Sequence, residues 1–434
     1  MEKRSINTKK ILLGFLLLVL ISPYIQSTLK IFNENPLKGD IIIAPDTVFT
    51  IKGWFDARYQ LCKEKYLNED FGFRKTAVRI NNQIAFSLYK IAKANGVIIG
   101  KNNYLYEKGY INAYYGEDFI GEEKIAEQTK RIKFLQDTLK KLNKDLILIF
   151  AAGKGSFYPE YIPDRVKSEK KQTNLECYLK YSKELGINFI DFNSYFVANK
   201  NKSKYPLYPQ YGIHWSSYGV CLAIDSIIKY IEQKRNIKMI NFYWNDIELP
   251  DTCRDADYDI ADGMNLLFKL KTFKMAYPKY IFEENPNKTK PKVLVIADSY
   301  YWGMFGIGVS RRIFNDGEFW FYNRQINPER TPKPLDVSQI NLKEEIEKQD
   351  AIIIMATEAN ISNFGWGFIE NAYDVFLNNG ENIIYKEKIK NFENGIRSNP
   401  EWLKFIAKQA NKSNISLDSA IKLNAIWTVE HEKK

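Results

Sequence analysis

Histidine is the scarcest reactive residue in this chain: 434 residues hold two, His214 and His431. Cysteine is nearly as rare, at Cys62, Cys177, Cys221 and Cys253, and no two stand at C-x-x-C spacing. A structural or catalytic zinc site needs several such ligands close together, so these shortages exclude zinc chemistry of that kind. One disulfide is compatible with an oxidising compartment, but the spacing does not pair the cysteines. The phosphate-cradling spacing G-x-x-x-x-G-K-[ST] is absent. Net charge is +11, yet the basic residues form only short clusters, at 167–171, 200–204 and 288–292. These read as solvated loops, and no nucleic-acid module is visible. The sequence therefore calls for no metal, no cofactor and no nucleic-acid partner. It also lacks internal repeats and low-complexity blocks.

What is present is a large apolar complement, 45% of residues, with 15% aromatic. That is enough for a sizeable core. Lys, Asn and Ile are abundant too, so much of the Tyr and Phe content reads as a compositional bias. At the N-terminus Lys3, Arg4, Lys9 and Lys10 precede an apolar run from Ile11 to Ile25. A basic flank before an apolar stretch retains the N-terminus in the cytoplasm and sends the remainder across the membrane. The run is short of the roughly 20 residues a span needs, and extension through Leu29 to Phe32 supplies them. No small-x-small cleavage site is evident, which favours an uncleaved anchor over a cleaved signal peptide. Residues 1–32 are therefore expected to anchor the chain, 33–392 to form one large domain and 393–434 to form a helical appendage.

Helical periodicity runs over Asn68–Ala92, Glu122–Leu142, Asn174–Leu185 and Tyr218–Gln233. Val97–Gly100 and Tyr104–Tyr106 read as short strands about a polar turn. Four continuous apolar runs, Leu146–Phe150, Asn188–Phe192, Val293–Ala297 and Ala351–Met355, have the character of strands buried on both faces. Strands alternating with helices predict an α/β fold with a parallel sheet flanked by helices. In such sheets ligands bind at the carboxyl ends of the strands.

The residues at those ends carry the chemistry. Ala297-Asp298-Ser299 closes the third strand. A serine at a strand-to-helix turn is exposed at the sheet edge, and the N–H groups that follow it suit an oxyanion. A serine hydroxyl needs a base, and the one imidazole outside the tail is His214, in Tyr211-Gly212-Ile213-His214-Trp215-Ser216 just before a helix. The bland alternatives are a helix cap at Asp298-Ser299 and a core or loop histidine. Further candidates sit at other strand ends. Asp191 and Glu358 are carboxylates placed to orient the imidazole, or else caps. Lys154 and Tyr158, in Gly153-Lys154-Gly155-Ser156-Phe157-Tyr158, suit substrate binding, with loop capping as the alternative for the lysine. Asn360 suits an oxyanion donor. Trp366, in Phe364-Gly365-Trp366-Gly367-Phe368, suits a stacking platform for sugar rings or a packed aromatic turn.

Four stretches together resemble the SGNH hydrolase-like family of alginate O-acetyltransferases, the AlgJ/AlgX type. They are Phe71-Gly72-Phe73-Arg74 through Asn82, Ile98-Ile99-Gly100-Lys101 through Tyr106, Gly212-Ile213-His214-Trp215-Ser216-Ser217-Tyr218-Gly219, and Val293 through Ala297-Asp298-Ser299. The likeness runs over roughly Trp54 to Ala372. The histidine block precedes the serine block, as in the permuted acetyltransferase branch. The resemblance implies an SGNH-like, flavodoxin-like sheet in permuted order, with Ser299 as nucleophile and His214 as base. The chain departs from the family at Gly212, where the family carries the triad aspartate, and at Ala297, where it carries glycine. Asp191 or Glu358 then stands as the substitute acid.

The expected activity is acetyl transfer onto an exported cell-envelope polysaccharide through a Ser–His acyl-enzyme. The resemblance adds a membrane-bound O-acyltransferase as acetyl supplier and a periplasmic site at the inner membrane. Two other readings stay open. One is an acetyl esterase acting on a glycan, and the other is a non-catalytic glycan-binding scaffold.

Overall fold

Asp145–Ala151, Val293–Ala297 and Ala351–Thr357 are buried along nearly their whole length, and they form the centre of the main sheet. The structure is a computed structural model that describes residues 2–39, 44–315, 317–328, 335–377, 383–413 and 415–431. Its contacts divide the chain into two units. The first comprises Met1–Lys108, Gln210–Ile213 and Thr252–Phe273, and the second holds the rest.

In the first unit a single helix, Glu2–Leu29, contains the apolar N-terminal run. Within it Thr8–Leu29, 22 residues, is long and apolar enough to cross a membrane. The helix carries the run past Ile25, as the length argument required, and Pro23 does not end it. The helix expected over Asn68–Ala92 is Arg74–Tyr89, and a separate helix, Arg58–Glu69, precedes it. Gly72 and Phe73 separate them, and Phe73 adopts a left-handed φ of 63°. A Cβ on Gly72 would lie 2.2 Å from the Pro23 carbonyl oxygen and 2.7 Å from Gln26 Cβ, so the break lets the backbone press onto the N-terminal helix. Strands β1 (Val97–Ile99) and β2 (Leu105–Glu107) pair antiparallel. Asn102 and Asn103 take positive φ at the turn between them, a conformation asparagine tolerates. Asp259 accepts the Ile213 N–H at 2.9 Å, fixing the peptide one residue before His214.

The second unit is built on a six-stranded sheet. Its strands are β3 (Asp145–Ala151), β4 (Phe189–Asp191), β7 (Val293–Ala297), β8 (Phe319–Phe321), β9 (Gln325–Asn327) and β10 (Ala351–Thr357), in the order β4-β3-β10-β7-β8-β9. All neighbours are parallel except β9, which runs antiparallel to β8. The four expected strands are present, and β8 and β9 extend them. Strands β5 (Asn241–Glu248) and β6 (Tyr277–Glu283) form a separate antiparallel pair. Alternate residues of the sheet serve opposite cores. Leu146, Leu148, Leu294, Ile352 and Ile354 pack with Ile132, Leu135 and Leu139 of the helix Glu122–Lys141. Ile149, Ile353 and Met355 face Ile224, Ile227 and Ile228 of the helix Ser217–Arg235. Covering both faces explains why these strands read as continuous apolar runs rather than alternating ones.

The C-terminal helices Ile383–Ser398, Pro400–Ser413 and Leu417–His431 bury their own small cluster, including Ile396, Ile406 and Ile421. The expected boundary at residue 392 falls inside the first of them. The four cysteines form no disulfide.

Candidate active site

Register places the nucleophile's turn. Ala297 pairs with Met355, so the next residue of the β7 strand end falls beside the end of β10. Asp298 is fully buried there and its carboxylate ties the two ends together. One oxygen accepts the Tyr300 N–H at 3.0 Å. The other accepts the Thr357 N–H at 2.8 Å, the Thr357 hydroxyl at 2.9 Å and the Asn360 amide at 2.9 Å. With these four hydrogen bonds Asp298 holds the turn on which Ser299 stands. The helix Tyr301–Ile307 follows at once.

His214 reaches this turn from a different part of the chain. Its Nε2 lies 2.9 Å from Ser299 Oγ, and both residues are partly exposed. The surrounding motif explains the placement. Trp215, 1% exposed, packs against Phe192 and Phe196 at ring distances of 5.8 and 5.7 Å. Ser216 caps the helix Ser217–Arg235 by accepting the Gly219 N–H at 3.0 Å, and its hydroxyl donates to the Pro206 carbonyl at 2.7 Å. A Cβ on Gly219 would sit 2.9 Å from a Phe196 ring carbon, so the helix start can approach only with glycine there. The imidazole rests against Tyr300, ring centroids 4.8 Å apart. Tyr300 and Tyr208 are buried phenols, and burial pushes both far above the ordinary tyrosine range, so they remain neutral donors beneath the site.

The other sequence candidates fall in several places. Asp191 caps the helix Phe192–Asn199, accepting the Ser194 N–H at 2.9 Å. Glu358 accepts the Ser156 hydroxyl at 2.7 Å and is buried, and burial lifts its carboxyl to about 7 although the Ser156 bond lowers it. Lys154 is fully buried. Tyr158 is 8% exposed and donates its hydroxyl to the Tyr208 carbonyl at 3.2 Å, a packing position rather than an open one. Asn360 directs its amide at Asp298 and, at 3.3 Å, the Thr357 hydroxyl. It thus supports the turn rather than presenting that donor to an oxyanion. The N–H groups following Ser299 are similarly engaged: Tyr300 with the Asp298 carboxylate, Tyr301 with the Asp298 carbonyl at 3.3 Å, and Trp302 with the Ser299 carbonyl at 3.1 Å. Trp366 is partly exposed beside Tyr322. Thr357 was not anticipated, and Asp298 was anticipated only as a cap. The pairing that reveals both spans 59 residues and leaves no local pattern.

Residues 97–242 match the family model described as an SGNH hydrolase-like domain, acetyltransferase AlgX. No curated protein matches the chain. Among solved structures it is similar to the O-acetyltransferase domain of Pseudomonas putida AlgJ, with 12% identity, a TM-score of 0.43 and coverage of 64% of this chain and 99% of that one. It is similar to Pseudomonas aeruginosa AlgX at 11% identity and a TM-score of 0.39, covering 63% of this chain and 67% of that one. Bacillus cereus PatB1 aligns at 13% identity and a TM-score of 0.41, covering 63% of this chain and 99% of that one. The matched segment contains the His214 block and ends before the Ser299 block. Over residues 97–242, about a third of its length, the chain is similar to the SGNH hydrolase-like domain of AlgX-type acetyltransferases.

Proposed function

We propose that this chain is an O-acetyltransferase that acetylates a cell-envelope polysaccharide through an acetyl-serine intermediate. The observation that carries the reading is the 2.9 Å approach of His214 Nε2 to Ser299 Oγ at a partly exposed strand end. At that distance the imidazole accepts the serine proton as Oγ attacks the acetyl carbonyl of the donor. The proton passes to the leaving group as the bond from donor to acetyl breaks. A sugar hydroxyl then attacks the acetyl-serine, His214 takes its proton, and Ser299 is regenerated with that proton as the ester forms on the sugar. The helix Thr8–Leu29 supports a membrane-anchored, extracytoplasmic setting, in which a membrane-bound O-acyltransferase supplies the acetyl group.

The test is turnover of p-nitrophenyl acetate with a soluble glycan as acceptor, followed by mass analysis of the glycan and by free acetate. Ser299→Ala and His214→Ala are each expected to lower acetyl turnover about 10³-fold or more. Wild-type levels in both variants would overturn the reading. Free acetate in place of acetylated glycan would turn it into an esterase.

A further inference from the structure

Beside the nucleophile's turn lies a groove of about 560 Å³ whose walls include Phe321, Tyr322, Arg324 and Asp336. One backbone hydrogen bond and one ring contact connect it to the site. The Tyr322 N–H donates to the Ala297 carbonyl at 2.9 Å, two residues before Ser299. Trp302, three residues after Ser299, contacts Phe321 with ring centroids 5.5 Å apart and is 38% exposed. From there the aromatic surface continues: Phe321 meets Tyr322 at 4.5 Å, and Tyr322 meets Trp366 at 5.1 Å with the rings perpendicular at 88°. Tyr322 and Trp366 thus form a corner in which each ring stands as one wall.

The corner is held in an unfavourable backbone conformation. Tyr322, Asn323 and Trp366 have φ of 51°, 50° and 48°. Bulky residues rarely adopt this region, and such strain persists where surrounding structure enforces it. Here the Asn323 amide clamps the Trp366 carbonyl at 3.0 Å, and Tyr322 is pinned to Ala297. A packing role alone does not call for two large rings in left-handed turns with their surfaces partly open. Arg324 and Asp336 sit 4.0 Å apart on the groove wall, one charge of each sign. Among the described residues the wall offers hydrogen-bonding groups with one charge of each sign.

We infer that the Tyr322–Trp366 corner, continued by Trp302 toward Ser299, is the subsite that grips the acceptor polymer, and that it takes a neutral hexopyranose ring. Aromatic faces suit the C–H faces of such a ring, and the tyrosine and tryptophan polar tips and Arg324 suit its hydroxyls. The inference rests on the acetyl-transfer reading and names the substrate class of that site.

The test uses binding, so that it is independent of chemistry. The full-length Ser299→Ala protein in detergent micelles is titrated calorimetrically with cellohexaose, a neutral oligomer, and with a mannuronate hexamer, its acidic counterpart. Cellohexaose is expected to bind and the acidic hexamer to bind more weakly. Tyr322→Ala and Trp366→Ala are each expected to weaken cellohexaose binding about tenfold. Trp366→Phe, which keeps a ring and removes only one indole, is expected to stay within about threefold of the parent. Should an alanine variant not fold, Trp366→Phe still decides, because its loss of tryptophan quenching on sugar addition reports contact directly. Unchanged affinity in the alanine variants, unchanged quenching in Trp366→Phe, preference for the acidic hexamer, or no binding of either oligomer would overturn the inference. Turnover of p-nitrophenyl acetate by the Ser299 protein is read separately. Its absence would remove the transferase reading and leave the binding result intact.

Discussion

Asp298 and Glu358 show how two buried carboxylates at one sheet edge come to differ. Asp298 collects four donors, two from backbone and two from side chains. Glu358 has the Ser156 hydroxyl on one oxygen, while its other oxygen is buried and, among the described residues, meets no well-formed hydrogen bond, the Asn193 side chain lowering its pKa less than burial raises it. Burial accordingly raises it from 4.5 to about 7. The folded state therefore holds a proton that the unfolded chain releases above about pH 4.5. Stability is expected to fall as pH rises through the window between the two values and to level off above about 7, a total of roughly 2–4 kcal/mol. Glu358→Gln removes the titration, so its stability is expected to be flatter over this window. Denaturant midpoints at about pH 5, 6, 7 and 8 for both proteins check this, and parallel profiles would show that Glu358 does not titrate in that range.

At the scale of elements, the end of β3 and the end of β10 are fitted to each other through Gly153. A Cβ there would lie 2.2 Å from Glu358 Oε2 and 3.1 Å from its Cδ. Gly153→Ala is expected to cost about 1–3 kcal/mol by overpacking. In a Glu358→Ala background the cost is expected to shrink below about 1 kcal/mol, since the obstructing group is gone. A double-mutant cycle from denaturant melts measures the difference, and equal costs in both backgrounds would place the constraint elsewhere. The same elements show what the sequence makes legible. Strands β3, β7 and β10 announce themselves because a sheet covered on both faces demands unbroken apolar runs. His214 and Ser299 stand out because the chain is so poor in histidine and each ends an element. Strands β8 and β9, of three residues each, have no counterpart among the sequence expectations. The Asp298–Thr357–Asn360 cluster is hidden for another reason, since parallel register across β7 and β10 creates it. The N–H groups after Ser299 and the Asn360 amide are likewise engaged by bonds that only the folded turn reveals.

For the molecule as a whole, the question is whether its N-terminal helix is a detachable address or a structural part. At the C-terminal end of that helix Tyr24 and Leu29 are more than half exposed, but Gln26 is held. Gln26, 6% exposed, donates to the Phe32 carbonyl at 2.6 Å and accepts the Phe32 N–H at 3.0 Å. Phe32 in turn meets Phe73, ring centroids 5.8 Å apart, and Gly72 lies directly on Pro23. Glu34, just beyond, accepts the Thr76 N–H at 2.9 Å and its hydroxyl at 2.6 Å, binding the exit strand to the start of the helix Arg74–Tyr89. By contrast Leu12, Phe15, Leu18 and Leu20 are more than half exposed, which suits lipid and not a protein core. The helix therefore divides into an exposed part compatible with a membrane span and a clamped part, and cleavage after a signal peptide would remove both. Deleting residues 2–20 is expected to release the protein from membranes while leaving its thermal midpoint within a few degrees of the full chain's. Deleting residues 2–32 is expected to release it as well but to lower the midpoint by about 4 °C or more, because the Gln26 and Phe32 contacts go with it. Membrane fractionation and thermal unfolding of the three proteins separate the cases. Equal midpoints for the two deletions would mean that the clamp adds nothing and that the helix serves as an address alone.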